Sequence, residues 1–90
     1  MSDEATVNRL VKEVTKEVGE AVALEIGEEP NGRRVRKLIQ QVMQGNRQSL
    51  AALLADPRFQ KIVERWLKEC LAEIPDAALR FEVAMALESA

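Results

Sequence analysis

Arg33, Arg34, Arg36 and Lys37 crowd the start of one helical segment, where the unpaired amide ends of a helix already carry partial positive charge. Each cation placed there costs about 0.3–1 kcal/mol. On a helical wheel Arg33, Lys37, Gln40 and Gln44 form one outward row, with Arg34 and Gln41 on one side and Arg36 on the other, and no carboxylate falls on this face. Arginine offers paired donors to carboxylates and phosphates, and glutamine adds amide hydrogen bonds. These residues are therefore a candidate docking face for an acidic protein surface or for phosphate. A different outcome is internal: Glu25, Glu28 and Glu29 sit at the negative end of the preceding helix, equally misplaced. Two wrongly charged helix ends side by side would neutralise each other.

Further positions invite a chemical reading. Gly45 separates two short helical segments, and Asn46, Arg47, Gln48 and Ser49 could open a DNA-reading helix. Against that stand the acidic overall charge and Gln41 four residues before the glycine, where close helix crossing favours a small residue. The last helical segment carries two apolar stripes, Leu79, Val83, Ala86 and Leu87 on one and Ala78, Phe81 and Met85 on the other. One stripe packs on the body of the protein; the second needs its own cover, either in the core or from a second chain. Ala78, Phe81 and Met85 are therefore candidate oligomer contacts. Phe59, Trp66 and Cys70 share a face of the preceding helix and read as core, with Cys70 a small buried hydrophobe.

Other chemistry is closed off by composition. The chain has no histidine, no tyrosine and one cysteine, so no zinc or iron–sulfur ligand set can be assembled and nucleophile–histidine pairs are excluded. The four glycines are scattered and form no phosphate loop. No carboxylate pair is evident on an apolar face. The expectation is a protein that is not an enzyme and uses no cofactor. A small-molecule-binding bundle would need convergent polar groups in the core, and the pattern supplies none.

The elements that must hold these residues are helices throughout, because apolar positions recur at three- and four-residue spacing from end to end. The first runs from about Asp3 to Leu24 or Ile26, capped by Ser2, with Val7, Leu10, Val11, Val14, Val18, Ala21 and Val22 as its buried stripe. Thr15, Gly19 and Ala23 form a column of small residues beside it. Gly19 costs a helix about 1 kcal/mol relative to alanine, which close approach of another backbone would explain. A turn through Pro30 leads to a second helix, about Gly32 to Gln44, with Val35, Leu38, Ile39, Val42 and Met43 inward. Asn46 caps a short third helix through Ala55. Asp56 followed by Pro57 reads as the start of the fourth helix, whose outer face offers the pairs Glu64–Lys68 and Arg65–Glu69. Pro75 and Asp76 precede a fifth helix reaching about Leu87.

Ninety residues make one domain, here an all-α compact bundle of four long helices and one short one with short connections. An apolar fraction of 47% argues against disorder. No apolar run spans a bilayer and the acidic start lacks a secretory pattern, so a cytoplasmic protein with no membrane partner is expected. The net charge of −2 hides a strong contrast: residues 1–29 carry a net −5, 33–65 a net +6 and 66–90 a net −3. The pattern points to a small non-catalytic interaction module, an adaptor, inhibitor or assembly subunit, self-associating and holding a protein partner. The alternative is a nucleic-acid-binding regulator using the second and third helices.

Overall fold

A computed structural model of the chain describes residues 3–27 and 32–88. The expected cap Ser2, the turn residues Pro30 and Asn31, and Glu28 and Glu29 lie outside the described residues. In chain order the helices are α1 (Glu4–Ile26), α2 (Gly32–Met43), α3 (Arg47–Ala55), α4 (Gln60–Ala72) and α5 (Ala77–Glu88), with no strand among the described residues. The all-α bundle expected from periodicity is what forms. The short helix is α3, with nine residues.

The spine is α1, which packs against each of the other four helices. Val11, Val14, Val18 and Val22 bury its inner face, and Thr15 is sealed beside them. The Thr15 hydroxyl needs a partner there and donates to the Val11 carbonyl at 2.7 Å. Gly19 meets a neighbour within the chain: a Cβ at this position would lie 2.7 Å from the Met43 backbone nitrogen and 2.9 Å from the Val42 carbonyl carbon. The small-residue column is therefore the seat of α2.

Side-chain oxygens set several helix starts. Asp3 caps α1, one residue later than expected, and accepts from the Ala5 amide at 3.4 Å. Asn46 accepts from the Ser49 amide at 3.1 Å and Asp76 from the Leu79 amide at 3.1 Å. Gly45, between α2 and α3, has a φ of 92°, a left-handed conformation that a side chain would strain. The start of α4 is a correction. Asp56 Oδ1 accepts from the Arg58 amide at 2.9 Å while its Oδ2 holds the Arg58 guanidinium at 2.9 Å. The resulting turn occupies residues 57–59, and regular helix begins at Gln60 rather than Pro57.

Leu50, Leu53, Phe59, Val63, Ile74, Val83 and Leu87 complete the core with Val35, Ile39 and Val42 of α2. Met43, expected inside, is 37% exposed at the rim. Neither expected pair on α4 closes among the described residues: Arg65 turns from Glu69 to Glu25 at the end of α1, and Glu64 and Lys68 form no ion pair.

Gly19→Ala separates two opposing effects. Alanine gains about 1 kcal/mol of helix propensity, but the new methyl meets backbone atoms that cannot rotate away, and overpacking costs about 1–3 kcal/mol. Urea unfolding should show a net loss of stability; a gain would mean that α1 and α2 separate freely.

Candidate functional site

The four cations of α2 all stand exposed. Val35, Ile39 and Val42 turn inward on the Gly19 contact, and the helical period then sends Arg33, Arg36, Lys37 and Gln40 outward. Among the described residues none of the four cations has an ion pair or hydrogen bond. Glu25, the one described acid expected to offset them, is engaged elsewhere. Its Oε1 accepts from the Arg65 guanidinium and, at 3.0 Å, from Trp66 Nε1. Arg65 also lies over the Trp66 ring, 5.5 Å from its centre. Arg65 thus supplies the cation that the C-terminal end of α1 calls for. It also explains why Trp66, expected in the core, is only partly buried: its ring nitrogen needs a polar neighbour.

The basic face borders a cleft of about 360 Å3 between α1 and α2, lined by Ala23, Gly27, Arg36, Ile39, Gln40 and Met43. Met43 on its wall is 37% exposed, and Leu24, next in sequence to Ala23, is 85% exposed. Cations and uncovered apolar atoms are therefore adjacent. The face is narrower than the wheel implied. Gln41 is half-buried, and its side-chain oxygen accepts from the Ser49 hydroxyl at 2.7 Å, tying α2 to α3. Gln44 remains exposed at the far end.

The same contact bears on the residues expected to read DNA. Ser49 is buried, Asn46 is occupied as a cap, and Arg47 donates to the Ala86 carbonyl at 3.4 Å. Of the four, Gln48 alone is both exposed and without a side-chain partner among the described residues.

On α5 the two stripes part company. Val83 and Leu87 are buried, whereas Phe81 is 64% and Met85 53% exposed, with Ala78 exposed beside them. The second stripe is not core. Between it and α4 runs a groove of about 500 Å3 floored by Leu71, Ala72, Ala77 and Ala84, with Lys68 and Arg80 on its rim. Glu82, on the other flank of the stripe, has Oε2 shielded from solvent and without a hydrogen-bond partner.

A third feature has no sequence signal, because its members meet only across helices. A pocket of about 400 Å3 brings Glu13 and Glu17 of α1 to Cys70 and Glu73 at the end of α4. Partial burial, then hydrogen bonding to Glu73 and its like charge, hold the Glu17 carboxyl above its ordinary range. Burial pushes the Cys70 thiol up to about 12, with the Glu17 charge acting next. A thiol so held is neutral near pH 7 and is a poor nucleophile. No group of three or more His, Cys, Asp or Glu among the described residues is placed to hold a metal ion.

Two measurements follow from this pocket. Cys70, 7% exposed, should resist a water-soluble alkylating reagent in the folded protein and react once denatured; rapid native labelling would refute its burial. Because folding raises the Glu17 pKa, its contribution to stability is fully present below the unfolded value and is lost as pH rises through the folded one. Glu17→Gln keeps hydrogen-bonding capacity without charge, so it should be more stable than wild type near neutrality. That advantage should vanish at about pH 4, near the ordinary glutamate range. An equal difference at both pH values would show that the acid pair is not strained.

Comparison with known proteins finds no family model that matches the chain, no similar curated protein and no similar solved structure.

Proposed function

We propose that the protein is a small non-catalytic interaction module, an adaptor, inhibitor or assembly subunit of the cytoplasm. It docks an acidic protein surface on the basic face of α2 and associates with itself through α5. The observation that carries the docking reading is the set Arg33, Arg34, Arg36 and Lys37, all exposed with no partner among the described residues while Glu25 is held by Arg65 and Trp66. Local electrostatics disfavours cations at a helix start, and a site that violates a local preference is where function is to be sought.

The exposed Leu24 and the cleft beside Arg36 and Met43 add an apolar foothold to the charges. An acidic protein segment carrying an apolar side chain matches that combination better than a uniform phosphate backbone does. Engagement of Asn46, Arg47 and Ser49 within the fold also weighs against a base-reading role for α3. Self-association is supported by the exposed Phe81 and Met85 on α5.

The double substitution Arg33→Gln with Arg34→Gln tests the docking reading. Thermal unfolding should be unchanged or slightly raised, because removing cations from a helix start relieves local repulsion. A loss of about 0.5 kcal/mol or more that shrinks in high salt would instead place the cations in internal ion pairs. A partner captured from the native cell by the wild type should be lost by the variant. If duplex DNA binds tightly, with affinity falling steeply as salt rises, the face belongs to nucleic acid.

A further inference from the structure

The groove between α4 and α5 is apolar along its floor and cationic at its rim, and neither Lys68 nor Arg80 has an ion pair among the described residues. Such a trough fits a helix whose apolar row is joined to a carboxylate. The protein's own α5 has that pattern: Ala78, Phe81, Met85 and Glu88 recur at three- and four-residue spacing on one face. Ala77, Ala78 and Ala84 are small enough to let a second helix approach closely.

We propose that the groove receives α5 of a second copy of this chain, the two α5 helices lying antiparallel about a two-fold axis. This assignment rests on the self-association proposed above. Setting Phe81 level with Met85 of the second copy also sets Ala78 level with Glu88 and Ala84 level with Glu82, and the symmetry axis repeats each contact. Phe81 then meets a thioether, a favourable neighbour for an aromatic ring. Glu88 lies two residues along the axis from Arg80, about 3 Å at ~1.5 Å per residue, so the guanidinium reaches it while Lys68 stands on the other wall. A parallel pair would instead bring Glu88 to Glu88 and Arg80 to Arg80. The charges therefore choose the antiparallel arrangement. A contact built on one three-turn helix and one groove falls below the ~1,200 Å2 of standard interfaces, and the dimer is accordingly weak and exchangeable.

The test is sedimentation of the intact chain from micromolar to millimolar concentration. The wild type should pass from monomer to dimer. Arg80→Glu and Glu88→Arg, each checked for folding by circular dichroism, should both weaken the dimer by about tenfold or more, since like charges then face each other. An equimolar mixture of the two variants should recover wild-type affinity as a heterodimer, because both opposed pairs are restored. Lys68→Glu, exposed on a different helix, should weaken the dimer too and serves if Arg80→Glu does not fold. A wild type that stays monomeric overturns self-association and this geometry with it. A dimer indifferent to these charges and to Phe81→Glu leaves self-association standing and overturns the α5 groove. Weakening by the single variants without recovery in the mixture overturns the antiparallel register.

Discussion

The outward direction of the basic face is decided at Gly19. With the Val42–Met43 backbone lying where a side chain on Gly19 would stand, α2 has little freedom to rotate about its own axis. Its valine and isoleucine row closes on α1, and the cations have nowhere to point but outward. The same seating brings Gln41 to Ser49, which fixes α3 and fills the corner at Gly45, where a Cβ would meet the Lys12 side chain at 2.7 Å. A single missing side chain thus sets both the close seat of α2 on α1 and the exposure of the charges.

The helices were legible because their apolar residues recur at three- and four-residue spacing, and Asn46 and Asp76 mark the starts of α3 and α5. The fourth helix was misplaced because Asp56 and Arg58 satisfy each other, and that local pairing outcompetes the helix start that Asp56-Pro57 resembles. Of the candidate residues, Arg33, Arg34, Arg36 and Lys37 lie where the wheel puts them. Gln41 does not belong with them, since a wheel shows direction but not what stands opposite. Glu25 was misread for the same reason: its partners Arg65 and Trp66 are forty residues away in the chain. The Glu17–Glu73 pair and the groove beneath Phe81 arise only when α4 is laid against α1 and α5. No local pattern encodes them.

The net charge conceals how the molecule is divided. Its two candidate surfaces both combine apolar atoms with cations, Leu24 and Met43 with Arg36 on one, Phe81 with Lys68 and Arg80 on the other. Several acids are turned to internal tasks, capping α1, α5 and the turn before α4, anchoring Trp66, or sharing the Cys70 pocket. An acidic chain therefore turns basic ground outward on both candidate surfaces.

Because α1 contacts every other helix, including α5 at the far end of the described chain, the order of synthesis leaves part of the spine uncovered for longest. The nascent chain can close α1 on α2 early, since few residues separate them, but the Leu10 and Val14 side of α1 waits for Ile74 and Leu79. Pairing the first helix with the last raises the average sequence separation of native contacts, which slows folding relative to a bundle of purely sequential neighbours. During that interval the emerging protein exposes a temporary apolar face on α1, and once α5 has docked, the stripe of Phe81 and Met85 stays uncovered by the fold.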